Sequence, residues 1–132
     1  MLVERKEFQE KDGTLGYIES VFNSDNVLKT TYFPNNQRLY IAFSRGHTYS
    51  YGNISPELYK EFEDSDSQGK FFHRKINNNK AYPARKEFTL YPNEVKDLKE
   101  IVKVYKEIIN EQEKEEEEDE QYWTISKSCR IT

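Results

Sequence analysis

Residues Arg38 to Ser44 alternate strictly, with Leu39, Ile41 and Phe43 on one face and Tyr40, Ala42 and Ser44 on the other, the period of a half-buried β-strand. Upstream, Leu15 to Phe22 and Val27 to Phe33 are rich in β-branched and aromatic residues. They are bounded by Asn23-Ser24-Asp25-Asn26 and Pro34-Asn35-Asn36, which is turn chemistry. Arg45-Gly46 suits a tight turn, and His47 to Gly52 returns as the next strand. With two residues in that turn, Ser44 pairs with His47, Ala42 with Tyr49 and Tyr40 with Tyr51. Tyr40, His47, Tyr49 and Tyr51 then share one face, opposite Leu39, Ile41 and Phe43. Lys86 to Tyr91 reads as a last strand.

The period changes twice. Ser55-Pro56 is a cap followed by proline at the first helical position, with Leu58, Tyr59 and Phe62 as the apolar stripe. The acids of that helix and its exit, Glu57, Glu61, Glu63, Asp64 and Asp66, read as a solvated face. From Asn93 as cap, Val95, Leu98, Val102, Tyr105 and Ile109 follow heptad spacing, widened by Ile101 and Ile108. That stripe packs on the chain's own sheet or on a second subunit. The expected fold is α+β: a small antiparallel sheet of about four to five strands, short helices and a long C-terminal helix. The divisions are an N-terminal arm (1–14), an α+β domain (15–92), a long helix with an acidic end (93–121) and a tail (122–132); across their junction Gln121 to Ser126 returns to strand-like composition.

With 132 residues the chain allows one domain with appendages. A hydrophobic fraction of 35% against 33% charged residues makes its core small and reliant on its 10 Tyr, 8 Phe and 1 Trp. No run of eighteen apolar residues occurs, and Met1 to Lys6 lacks the apolar stretch of a signal peptide. The protein is therefore read as soluble and cytoplasmic, with no membrane partner. The lone Cys129 is read as an incidental thiol.

The net charge of -4 is unevenly placed. Residues 1–112 carry 17 acids and 17 bases, whereas Glu113 to Glu120 holds seven acids and only Lys114. The acidic block reads as a solubilising tail or as a mimic of a nucleic-acid backbone. Asn26 to Pro56 and Ser67 to Lys86 contain no acid at all. Clearing carboxylates from two separated segments favours an anion there.

The candidate ligand-binding residues follow from these patterns. Tyr40, Tyr49, Tyr51 and His47 form either a second packed face or a stacking platform for a nucleobase, and on the second reading Tyr51→Ala removes about 1 to 3 kcal/mol of affinity. Arg45, Lys70, Arg74 and Lys75 supply positive charge for phosphate. In Ser67-Gln68-Gly69-Lys70-Phe71-Phe72-His73, a small polar residue and a glycine precede a basic, aromatic stretch. Ser67, Gly69, Lys70, Phe71 and His73 thus fit either a phosphate-facing helix start or a plain turn into a surface helix. No catalytic residue is assigned: Ser67 and His73 lack a glycine elbow, and His47, His73 and Cys129 lack zinc spacing. No metal and no cofactor are expected.

The strand Leu39 to Phe43 before a glycine turn, Tyr49-x-Tyr51, Pro56 with Tyr59, Ser67-x-Gly69-x-Phe71-Phe72 and Ile76 together resemble the KTSC family from about Ser20 to Phe88. Ser65 stands where that family usually has alanine, and the N-terminal arm and long C-terminal helix lie outside its pattern. The resemblance implies a small bacterial or phage domain, found also at the C-terminus of some lysyl-tRNA synthetases, associated with RNA binding and without established catalysis. In its short length and Lys, Asn and Glu richness the chain is also similar to phage early proteins and to phage anti-CBASS sponges. The resulting expectation is a non-catalytic sponge for cyclic dinucleotide immune signals in the host bacterial cytoplasm, acting as a homo-oligomer, dimer or tetramer. The alternatives are a single-stranded RNA-binding module and a protein-interaction module.

Overall fold

The computed structural model describes the backbone of residues 1–131 and the side chains of residues 1–112. Six strands, β1 (Leu2–Gln9), β2 (Leu15–Phe22), β3 (Val27–Phe33), β4 (Arg38–Phe43), β5 (His47–Tyr51) and β6 (Ala84–Thr89), form one antiparallel sheet. Their order in the sheet is their order in the chain. Between β5 and β6 lie helix α1 (Pro56–Asp64), the short α2 (Gln68–Phe71) and a π-helical turn (Phe72–Ile76). Helix α3 (Pro92–Ile131) follows. Residues 1–102 are one compact unit, and residues 103–132, with the remainder of α3, are a second.

The fold is α+β as expected, with one strand more than the pattern shows. The segment read as an arm is β1, paired with β2 from Leu2 opposite Phe22 to Gln9 opposite Leu15. Its polar side chains hide it from periodicity because it is an edge strand, where charge is the usual defence against unwanted pairing. Two residues tie it down. Phe8 stacks on Tyr17 at 4.5 Å, and Arg5 Nε donates to Glu63 Oε1 at 2.7 Å.

Glu63 corrects the reading of its helix as a solvated face. The side chain is buried in α1 and accepts from Ser20 Oγ at 3.1 Å as well as from Arg5. The Tyr59 hydroxyl sits beside Ser20 Oγ at 3.0 Å and Thr30 Oγ1 at 3.1 Å. A polar thread therefore runs from β1 through the sheet to α1, inside a core of Ile18, Phe22, Val27, Tyr32, Leu39 and Ile41 from the strands and Ile54, Phe62, Phe71, Phe72 and Ile76 from the segments above them. Ser55 caps α1 as expected, its Oγ accepting from Leu58 N at 3.1 Å.

The hairpin register also differs. Gly46, at φ +94, donates its N–H to Phe43 O at 2.7 Å, which closes a turn over Phe43 to Gly46 and leaves three loop residues. The observed pairs are Leu39 with Tyr51, Tyr40 with Ser50, Ile41 with Tyr49 and Ala42 with Thr48. A slip of one residue transfers every side chain to the other face. Tyr49 and Tyr51 thus join Leu39 and Ile41 on the side covered by the helices, while Tyr40 stays on the outer face.

Burial raises the phenol pKa of Tyr51 to about 12, with the neighbouring Tyr49 adding to the effect. Burial, then Glu57, does the same for Tyr32, also to about 12. A folded-state value above the unfolded one favours the neutral form. The stability it contributes is fully present below the unfolded value near 10 and is lost as pH rises toward 12. Stability is therefore expected to fall between about pH 10 and 12, with tyrosinate absorbance rising in the same window. Tyrosinate absorbance complete near pH 10 in the folded protein would contradict this.

In α3, Val95, Leu98, Val102, Tyr105 and Ile109 are half-buried, and Ile101, Val104 and Ile108 are exposed. The helix begins at Pro92, one residue before the expected cap, where Glu94 Oε1 accepts from Tyr91 N at 3.2 Å. Its backbone continues through the segment read as a strand-like tail. The readings of the side chains in the acidic block, the tail and Cys129 lie outside the described residues. Among the described residues no helix is long and apolar enough to cross a membrane.

Candidate functional site

The register of β4 and β5 brings Phe43, Tyr49 and Tyr51 to one end of the covered face. Across from them the π-helical turn sets Phe72 inside and His73 outside, closed by an Asn77 N–H bond to Phe72 O at 2.8 Å that spans five residues. The chain then passes through Asn78, at φ 56, a conformation that asparagine tolerates better than most residues. Tyr82, Pro83 and Ala84 lead into β6.

These elements line an open cleft of about 690 Å³, within the size range of small-molecule sites. Its walls are Phe43, Tyr49, Tyr51, Phe72 and Tyr82, and its rim is His73, Asn77, Asn78, Asn79 and Lys80. The aromatic packing is edge-to-face: Tyr51 meets Phe72 at 5.3 Å and Phe43 meets Tyr49 at 6.2 Å. Tyr51 is almost fully buried, at 5% exposure, whereas Tyr49 is half-buried and available to a ligand. The Asn77 amide lies 3.2 Å from His73 Nδ1; with Asn77 Nδ2 as donor, His73 Nε2 is left to serve as a donor. Rings for stacking, amides for the edge of a heterocycle and one ammonium for an anion are thus held together.

A second cavity, of about 390 Å³, lies between the Asn23–Asn26 loop and Asp66 to Lys70, and His73 lines it too. Ser67, Gly69 and Lys70 belong here. Ser67 Oγ accepts from Lys70 N at 3.3 Å and so caps α2, which uses the group weighed above as a nucleophile or phosphate contact.

The remaining sequence candidates lie elsewhere. Tyr40 is on the outer face of the sheet, edge-on to Phe33 at 5.7 Å. Arg45 is in the hairpin turn, and His47 lies at the start of β5, its Nδ1 3.4 Å from Thr89 Oγ1. The single tyrosine face drawn with a two-residue turn therefore does not form. Phe71 is core, and Arg74 lies over its ring at 5.9 Å. Arg74 and Lys75 border a third depression shared with Glu57, Glu61 and Asp64, so their charge meets acids rather than an open anion site. On the outer face Arg38 donates to Ser50 Oγ at 2.7 Å, and Ser50 and Arg85 both donate to Glu87, at 2.7 and 2.6 Å. The hydrogen bonds from Ser50 and Arg85 hold the Glu87 carboxyl below the usual carboxylate range.

Sequence reasoning missed Phe43, Phe72, Asn77, Asn78, Lys80 and Tyr82 as cavity residues. The signal is available in part: the run Asn77-Asn78-Asn79 is loop composition, and a loop following a basic, aromatic stretch is a natural rim. Among the described residues no group of three or more His, Cys, Asp or Glu is placed to hold a metal.

The model of the KTSC domain family matches residues 23–82, a span that contains β3, β4, β5, α1, α2, the π-helical turn and nearly all of both cavities. The crystal structure of a KTSC domain protein from Yersinia pestis aligns with a TM-score of 0.50 at 27% identity, covering 53% of this chain and 96% of that one. No curated protein matches the chain.

Proposed function

The chain carries a KTSC domain over residues 23–82, and on that premise we propose that the domain is a non-catalytic nucleotide-binding module, with the base held in the aromatic cavity. The observation that carries this reading is the meeting of Tyr49, Phe43, Phe72 and Tyr82 with an Asn77–Lys80 rim in one cavity of about 690 Å³. Base stacking on such rings is worth about 1 to 3 kcal/mol per base. Amide side chains read the edge of a base, and Lys80 with His73 receives a phosphate. In its sharper form the module is a sponge: it sequesters a small nucleotide signal, cyclic dinucleotides included, without altering it.

The test is calorimetric titration of the full chain with mononucleotides, cyclic dinucleotides and short single-stranded RNAs at two salt concentrations, followed by chemical recovery of the ligand from the denatured complex. Binding of one nucleotide, recovered intact, supports the module and its sequestering role. Recovery of an altered nucleotide overturns the non-catalytic assignment. Binding of RNA alone, weakening steeply with salt through counterion release, replaces the cavity with an open RNA surface. No binding by the folded protein ends the nucleotide reading.

The module also self-associates through α3 on this reading. Val95, Val102 and Ile109 put β-branched residues at one heptad position, with Leu98 and Tyr105 at the other, a pattern that favours paired helices. Light scattering is expected to give a dimer or tetramer, and Val102→Asp a monomer. A monomeric wild-type chain at high concentration would remove this element.

A further inference from the structure

We propose that Tyr51 selects the ligand's base through its hydroxyl, and that the base is one with an oxo group on its buried edge (uracil, hypoxanthine or guanine) in preference to an amino group. This rests on the nucleotide reading above and extends it to the class of base. Three tyrosines are buried among the described residues, and two have their hydroxyls engaged: Tyr32 donates to Ile54 O at 2.7 Å, and Tyr59 lies beside Ser20 and Thr30. The Tyr51 hydroxyl has no partner among the described residues, although the residue is at 5% exposure. A buried polar group without a hydrogen bond is costly, and native structures keep few of them. Among the described residues no side-chain nitrogen or oxygen that is shut off from solvent lacks a partner. The Tyr51 hydroxyl therefore reaches open space, and the space that Tyr51 lines is the aromatic cleft.

The group is held at a set position. Tyr51 pairs with Leu39 on β4 and with Ala84 on β6, and Phe72 meets its ring edge-to-face at 5.3 Å. It lies on the buried wall of the cleft, whereas Asn78, Asn79 and Lys80 at the mouth are exposed. Burial pushes the phenol pKa up to about 12, so the hydroxyl meets a ligand in its neutral form. The same desolvation disfavours any other anion at that wall. The phosphate accordingly stays at the mouth with Lys80 and His73, and the base enters edge first.

Which edge it presents follows from the excess of donors. No Asp or Glu is among the described residues that line the cleft, while Tyr49 and Tyr82 add two more phenols and His73 and Lys80 add N–H donors. The Asn79 amide is already used in both directions, Nδ2 donating to Lys75 O at 3.1 Å and Oδ1 accepting from Ala81 N at 3.0 Å. A phenol has one O–H to give, and it donates better than it accepts because a lone pair is drawn into the ring. An oxo group brings lone pairs and no hydrogen to this wall, so it takes what the wall offers. An exocyclic amino group brings hydrogens alone and sets donor against donor, which leaves polar groups unpaired on both sides.

The experiment titrates the full chain calorimetrically with three pairs of probes that differ in that group: UMP and CMP, IMP and AMP, cyclic di-GMP and cyclic di-AMP. The pair that binds more tightly decides. Its oxo member is expected to bind about tenfold more tightly than its amino member, a difference of about 1.4 kcal/mol. Tyr51→Phe is expected to remove that preference by weakening the oxo member alone. Its thermal midpoint is expected to stay level or rise, since the ring and its contact with Phe72 are kept. A fall in the midpoint with equal weakening of both members, or failure of the variant to fold, assigns the hydroxyl to the core and overturns the proposal. Equal binding of the two members by the wild-type protein, or preference for the amino one, overturns it without any variant and spares the nucleotide module. A preference for the oxo member that survives in folded Tyr51→Phe overturns it as well. Absence of binding by all six probes removes the nucleotide reading and this one together.

Discussion

Arg5→Met is expected to lower the unfolding free energy by about 2 to 3 kcal/mol, read as a shift of the urea midpoint. Removing one partner of a fully buried ion pair costs about 3 to 5 kcal/mol, because the other charge is left desolvated and unpaired. Here the Glu63 side chain is 8% exposed and that of Arg5 is 35% exposed. Water therefore already shares the guanidinium, and the effect falls at or below the lower end of that range. The double variant Arg5→Met/Glu63→Gln is expected to recover most of the loss, since a neutral amide can still accept from Ser20. An unchanged midpoint in the single variant would mean that water reaches Glu63 and that β1 is not anchored to the matched domain by this pair.

Tyr49→Ala is expected to weaken the best nucleotide ligand by about 1 to 3 kcal/mol, roughly fivefold to 150-fold, through loss of one stacking face. The thermal midpoint should change much less than the affinity, because Tyr49 is only half-buried. Tyr51, the choice that the motif alone suggests, is the poorer probe. At 5% exposure and packed against Phe72 it is a core residue, and truncating an aromatic core side chain costs about 3 to 5 kcal/mol of stability. Affinity measured in Tyr51→Ala would mix unfolding with lost contact. Titration of folded Tyr49→Ala with unchanged affinity would take the base out of this cavity.

How far the sequence reveals the site depends on which forces operate locally. Strand Arg38–Phe43, the Ser55-Pro56 cap and the composition of α3 are legible because alternation, capping and heptad spacing act within a few residues. Strand β1 is not, since its order comes from pairing with β2 and from Arg5 reaching Glu63, and neither leaves a periodic trace. The cavity sits between these cases. Tyr49 and Tyr51 stand out as a motif, but the face they occupy turns on one torsion, the positive φ of Gly46 that makes the loop three residues long. His73 is legible as a basic, aromatic neighbour. Its place on the border of both cavities is not, because that depends on a five-residue hydrogen bond in the π-helical turn.

The strictly sequential strand order bears on how the molecule comes together in time. From β1 to β5 each strand meets the one just before it across a short turn, so these contacts close at small entropic cost and early. Strand β6 must wait for the whole stretch from Tyr51 to Ala84 to settle, and that stretch carries Phe72, His73 and the Asn77–Lys80 rim. The cavity is thus the last part of the sheet domain to assemble and the first to come apart. Amide exchange is expected to be faster in β6 and the rim than in β3 and β4. Entry and release of a ligand can then proceed by brief detachment of this edge, with the meander behind it intact.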